Sequence, residues 1–224
     1  MKNYIIILFC VLQGCSSTAQ NDACCERNSN LSADFLYEYM YFTTDDILKL
    51  DTALLYVELA ITCCPRKSYP NLIGRKLGIL SLMRNYDAGI EFIPTLTDQL
   101  LTDLPYYNSV LLKRFYAMKS LYEGDTVLCN QYVYSIIEEI APFITEHQET
   151  IDSLCKNDLS TILKDYWYVL CFAQIQYYYY KSIVESADIL YEEFNLLRQK
   201  GYDLEYIDDI KRALENDFLF YQLY

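Results

Sequence analysis

The clearest chemical pattern in this sequence involves cysteine. Nine cysteines occur in 224 residues, and four of them form two vicinal pairs, Cys24-Cys25 and Cys63-Cys64. In an oxidising compartment, a disulfide between the pairs would tie the N-terminal segment to the rest of the chain. Alternatively, most cysteines are small buried apolar residues, above all Cys129 and Cys171, which lie within helical patterns. Zinc is disfavoured because a vicinal pair lacks the two-residue spacer with which two thiolates grip one tetrahedral ion.

Acid–base chemistry has weaker support. Three adjacent acid pairs stand among apolar residues, at positions 138–139, 192–193 and 208–209. Neighbouring residues on a helix point about 100° apart, so such pairs do not converge and are typical of solvated helix faces. His147 is the only histidine, so a multi-histidine metal site is excluded. It lies in a polar stretch with no serine or cysteine constellation nearby. We therefore predict no catalytic residue, metal or cofactor, and keep a carboxylate-dependent hydrolase only as an alternative.

Tyrosine is over-represented, with 24 copies. Tyr177, Tyr178, Tyr179 and Tyr180 are consecutive, and on a helix they would cover most of its circumference. Tyrosine provides a large contact area at little cost in side-chain entropy, so this run is a candidate binding surface for a protein, a peptide or a glycan. The alternative is that these rings fill helix–helix interfaces and direct their hydroxyl groups outwards.

The N-terminus has the order of features found in an export signal. Lys2 precedes a nine-residue apolar run at positions 4–12, which is too short to cross a bilayer. Leu12-Gln13-Gly14-Cys15 follows, and residues 16–32 are polar without periodicity. The order of charge, apolar run, small residue and cysteine resembles the lipobox of bacterial lipoproteins.

The lipobox resemblance implies cleavage before Cys15 and acylation of that cysteine. Residues 1–14 would then be a signal peptide and residues 15–32 a lipidated tether. More than one acyl chain on one residue is enough for stable membrane anchoring. The resemblance thus implies a lipid-anchored protein of the bacterial cell envelope, at the outer membrane.

The remaining chain, residues 33–224, is expected to form a single all-α domain. Apolar residues recur at three- and four-residue steps, while the scarcity of glycine (6) and proline (5) argues against turn-rich β folds. Pro94 should interrupt one helix, and Gly201 should end another. The predicted helices cover residues 45–64, 69–84, 86–101, 105–122, 126–141, 159–184, 186–200 and 203–223.

Short loops between these helices predict stacked antiparallel hairpins. Ala53, Val57, Ala60 and Pro65 resemble the second helix of a tetratricopeptide repeat, and Tyr86-Asp87-Ala88-Gly89 resembles the entry to another such helix. The spacing between these motifs drifts, so the resemblance implies a degenerate tetratricopeptide-like α-solenoid. An irregular helical bundle is the alternative.

Charge limits the class of partner. Thirty-one acidic residues against 18 basic ones give a net charge of −13, which excludes nucleic acid as an expected partner because phosphate binding needs a basic surface. We therefore expect a lipid-anchored binding or scaffold protein that recognises a protein or peptide on a tyrosine-rich, acidic helical surface. A glycan-binding lipoprotein is the alternative of the same architecture.

Overall fold

The computed structural model describes residues 18–43, 46–96, 100–156, 164–202 and 208. Within these ranges every regular element is helical, so the all-α prediction is confirmed. The chain divides into two compact units, Met1–Ile79 and Leu80–Tyr224. The helices are α1 (Thr18–Tyr41), α2 (Ile47–Cys63), α3 (Tyr69–Leu82), α4 (Tyr86–Phe92), α5 (Tyr107–Tyr122), α6 (Thr126–Glu146), α7 (Gln148–Lys156), α8 (Lys164–Val184) and α9 (Ala187–Gln199).

In the first unit, α1 and α2 form an antiparallel hairpin. Cys25 near the start of α1 is bonded to Cys64 just after α2, while Glu38 near the end of α1 pairs with Lys49 at the start of α2. Between these ends, the Ser32 hydroxyl donates a hydrogen bond to the Ala53 carbonyl at 2.9 Å. The two helices can come close enough for this hydrogen bond because several of the buried side chains of α2 are small or short. Leu50, Ala53, Val57 and Ala60 are fully buried there.

Helix α1 includes residues 18–32, which belong to the segment 15–32 that was predicted to be a tether. This half of the helix is polar and has no apolar stripe, so hydrophobic periodicity could not reveal it. Its position is fixed instead by specific bonds. Cys25 is in the disulfide, and the Arg75 guanidinium donates to the Ser29 carbonyl at 2.6 Å.

In the second unit, α5 runs antiparallel to both α4 and α6, and α8 runs antiparallel to α9. Lys119 on α5 pairs with Asp87 on α4, and Lys113 on α5 pairs with Glu139 on α6. Helix α8 packs against α6 and α9, and α7 contributes Ile151 to the core there. The other buried members of this core are Leu170, Tyr178, Leu190, Phe194, Leu197 and Tyr202.

Two prolines affect the helices differently. Helix α4 stops at Phe92 and gives way to a 3₁₀ turn, Ile93–Thr95, at the predicted break around Pro94. Helix α6 instead runs on through Pro142 to Glu146, although the sequence predicted its end at residue 141. Pro142 is exposed, so the carbonyl that loses its amide partner faces water and the helix can bend there.

Candidate functional site

The predicted lipidation site, Cys15, lies outside the described residues. The predicted cysteine pairs are described, and Cys25 is bonded to Cys64 with their Cα atoms 4.6 Å apart. Cys24 and Cys63 are half-buried thiols beside this bridge. The vicinal pairs therefore meet across the α1–α2 hairpin, in the first unit.

The consecutive tyrosines of α8 do not form an exposed surface. Tyr178, Tyr179 and Tyr180 are buried, and Tyr177 is half-buried. The Tyr178 ring packs against Phe194 of α9 with centroids 5.2 Å apart. Because α8 has neighbours on more than one side, consecutive positions can all be covered. These four residues are thus core and interface rings, and a binding surface has to be sought elsewhere.

A buried polar cluster surrounds Tyr180. Burial raises the pKa of Tyr106, Tyr107 and Tyr180, and the charge of buried Arg114 lowers the pKa of Tyr107 and Tyr180 by less than burial raises it. These phenols therefore stay protonated at neutral pH. The cluster offers no acid–base pair near pH 7.

Exposed apolar residues gather at the turn between α5 and α6. Leu121, Tyr122 and Val127 are 58%, 60% and 68% exposed. The Arg84 guanidinium lies 5.2 Å from the centre of the Tyr122 ring, and Tyr86 meets the same ring edge-on at 5.9 Å. We call these five residues the turn patch. A cation on one side and a second ring beside it hold Tyr122 in place while much of it remains open to solvent.

Charged residues border the turn patch. Glu123 and Asp125 are exposed within the turn itself, and Asp87 lies 2.5 Å from the Lys119 ammonium. The hydrogen bond from Lys119 to Asp87 raises the pKa of Lys119. An aromatic and aliphatic centre within a charged rim is the composition of a protein-binding surface.

A second tyrosine pair lies between α5 and α6. The Tyr116 and Tyr132 rings stack nearly parallel, at 14° with centroids 5.2 Å apart. Both rings are half-buried, and Lys113 and Glu139 form an ion pair at 2.5 Å farther along the same two helices. One face of each ring is covered by its partner. The pair therefore serves mainly to join α5 to α6.

The turn patch was not among the binding residues predicted from the sequence. Gly124 in its turn has a positive φ of 84°, which glycine adopts without strain. The signal in the sequence was the placement of one apolar residue on each side of Gly124, namely Leu121 and Val127.

The acid pairs and the histidine have structural partners. Glu139 pairs with Lys113 and Glu193 with Lys181, while their neighbours Glu138 and Glu192 are exposed, so each vicinal pair diverges. The His147 ring nitrogen Nδ1 lies 2.8 Å from the Phe143 carbonyl, at the C-terminus of its own helix. Among the described residues, no group of three potential ligands is arranged to hold a metal ion.

Comparison with known proteins gives no assignment: no family model, curated protein or solved structure matches this chain. No helix in the described ranges combines the length and apolar content needed to span a bilayer.

Proposed function

We propose that the protein is a lipid-anchored binding protein of the bacterial cell envelope, and that it recognises a protein or peptide partner through the turn patch. The observation that carries this proposal is the exposure of Leu121, Tyr122 and Val127 around one turn, together with the contacts of Arg84 and Tyr86 that hold the exposed Tyr122 ring in place. Tyrosine at the centre of an interface is a typical hot spot, and aliphatic neighbours exclude water around it.

Charge defines the partner further. The acidic groups Asp87, Glu123 and Asp125 lie around the turn patch, in a chain of net charge −13. A partner with basic residues around an apolar centre would complement this surface, and its association would weaken as salt screens the rim charges.

The cellular part of the proposal rests on the N-terminal sequence. The charge at Lys2, the apolar run 4–12 and the small residue before Cys15 resemble a lipoprotein signal peptide, and lipidated Cys15 would confine the protein to a membrane. The disulfide between Cys25 and Cys64 supports this proposal because such bonds persist mainly in exported proteins.

The architecture that we propose is a degenerate tetratricopeptide-like solenoid. Its support is the antiparallel order of α4, α5 and α6, together with the burial of Ala53, Val57 and Ala60, the small and large positions of the repeat motif. In such a solenoid, stacked hairpins would repeat the same kind of turn at one edge, and the turn patch would be one of these turns.

To test the binding proposal, the purified protein is immobilised and incubated with an extract of the bacterial cell envelope. We expect Tyr122→Ala to lose the captured partner, with about a 30-fold drop in affinity for a hot spot worth about 2 kcal/mol. Tyr41→Ala is the matched control, since Tyr41 is 64% exposed but lies in the first unit. Equal capture by wild type and Tyr122→Ala would refute the assignment of the turn patch. Loss of capture after periodate treatment, but not after protease treatment, would favour a glycan instead.

The anchor is tested separately. Metabolic labelling with a fatty-acid probe should modify the wild-type protein, and Cys15→Ala should abolish the label and release the protein from membranes. An unlabelled wild-type protein that fractionates away from membranes would refute lipidation and leave the binding test unaffected.

A further inference from the structure

Four cysteines converge at one end of the α1–α2 hairpin. Cys25 and Cys64 form the disulfide, and each has a half-buried thiol as its chain neighbour, Cys24 and Cys63. The amide nitrogen Nδ2 of Asn28 lies 3.3 Å from the Cys24 sulfur and 3.8 Å from the Cys63 sulfur. The two thiols are therefore no farther apart than the sum of these distances.

We propose that Cys24 and Cys63 form a thiol–disulfide exchange site, in which an external disulfide oxidises them to a second bridge beside Cys25–Cys64. The cysteine pairs face each other across an antiparallel hairpin, and the existing bridge fixes the separation of the two helices. A second bridge would form by rotation of the Cys24 and Cys63 side chains, whose sulfurs both lie beside the Asn28 amide.

The reaction proceeds in two exchanges. The thiolate of Cys24 attacks one sulfur of the external disulfide, whose S–S bond breaks to release one thiolate and leave a mixed disulfide on Cys24. The thiolate of Cys63 then attacks the Cys24 sulfur and displaces the second external thiolate. Cys24 and Cys63 lose two electrons and two protons in total, and the external disulfide gains both to become two thiols.

Access distinguishes this pair from another thiol of the chain. Cys24 and Cys63 are half-buried, whereas Cys129 on α6 is 5% exposed and burial raises its pKa. Since the thiolate is the reactive form, a buried thiol with a raised pKa reacts slowly. Cys129 therefore serves as an internal control for the accessibility of the proposed site.

The full-length protein, purified in detergent, provides the direct test. It is incubated with or without glutathione disulfide, treated under denaturing conditions with N-ethylmaleimide, digested with trypsin and analysed by mass spectrometry. Cleavage after Arg27, Lys49 and Arg66 leaves the two cysteine pairs on separate peptides, held together by the Cys25–Cys64 bridge.

Without oxidant, the linked peptides should carry one maleimide group on Cys24 and one on Cys63. After oxidation they should carry neither group and should contain two bridges, while Cys129 is labelled in both samples. The proposal is overturned if Cys24 and Cys63 remain labelled after oxidation, or if each carries its own glutathione without a bridge between them.

Two double variants separate this site from the existing bridge. Cys25→Ser/Cys64→Ser retains only the proposed pair, and oxidation should link its two peptides through Cys24 and Cys63. Cys24→Ser/Cys63→Ser is the matched control, in which oxidation should leave the masses of the linked peptides unchanged. Circular dichroism establishes that each variant is folded, and if the first variant is unfolded, the wild-type peptide map alone decides.

Discussion

Replacement of Gly89 by alanine tests how tightly α4 packs on α5. A Cβ atom on Gly89 would lie 2.1 Å from Cε1, 2.3 Å from Cδ1 and 2.8 Å from Cζ of Phe115. All three are atoms of one rigid ring, which is only 1% exposed. The ring therefore cannot swing into solvent, and either it or the α4 backbone has to move by about 1 Å to restore ordinary contact.

Two opposing effects determine how much Gly89→Ala changes the free energy of unfolding. Alanine is better than glycine inside a helix by about 1 kcal/mol. Overpacking a filled core costs about 1–3 kcal/mol, and the overlap of Gly89 with three ring atoms places this case at the upper end of that range. We expect Gly89→Ala to lower the free energy of unfolding by about 1–2 kcal/mol, or Tm by about 2–4 °C per kcal/mol.

Urea unfolding followed by circular dichroism measures this change, and Phe115→Leu in both backgrounds identifies its cause. Leucine removes the outer ring atoms, so it should relieve the overlap in Gly89→Ala. The double variant should then be more stable than the sum of the single changes predicts, by at least about 0.5 kcal/mol. Additive costs, or a Gly89→Ala protein at least as stable as the wild type, would refute the proposed packing.

Three further predictions concern buried polar groups. Lys181→Met should cost about 1.5–3 kcal/mol in urea unfolding, because Lys181 is 7% exposed and bonded to Glu193. Lys119→Met, on a more exposed ion pair, should cost less. Tyr106→Phe should be neutral or stabilising, because its buried hydroxyl has no hydrogen-bond partner among the described residues, whereas Tyr202→Phe should destabilise by about 1 kcal/mol because its hydroxyl donates to Asp152. Stability should also fall as pH rises above about 10. Burial raises the pKa of Tyr106 in the folded protein, so the unfolded chain loses its phenolic proton at lower pH than the folded protein does. Measurements of Tm against pH should show this fall in the wild type and a smaller fall in Tyr106→Phe.

Helix boundaries were predictable where local chemistry marks them. The helix predicted at 45–64 begins at Ile47, and the side chain of its N-cap, Asp46, accepts a hydrogen bond from the Leu48 amide at 3.2 Å. Gly201 was predicted to end the helix at 186–200. That helix, α9, ends at Gln199, and Gly201 lies just beyond it with φ 84°. Such signals act over three or four residues, so a single sequence contains them in full.

Features that depend on distant partners were not predictable in this way. The N-terminal half of α1 is polar, and three contacts hold it: Cys25 with Cys64, Ser32 with Ala53, and Ser29 with Arg75. The partners in these contacts are 21 to 46 residues apart in the sequence. The vicinal cysteines were the only sequence signal for that attachment. They predicted a bond between the two pairs, but their spacing could not say which cysteine of each pair would be linked.

The tyrosines of α8 show why burial is harder to predict than secondary structure. Four consecutive helical residues cover about 300° of the circumference, so their exposure depends on how many sides of the helix are occupied. Helix α8 has α6 and α9 as neighbours, and Tyr178, Tyr179 and Tyr180 are consequently buried. The turn patch is the opposite case, since Tyr122 lies at the end of α5, beside a turn, and is 60% exposed. Tyrosine content therefore indicates that aromatic contacts exist in this protein, whereas the number of helices around each ring decides which tyrosines remain available to a partner.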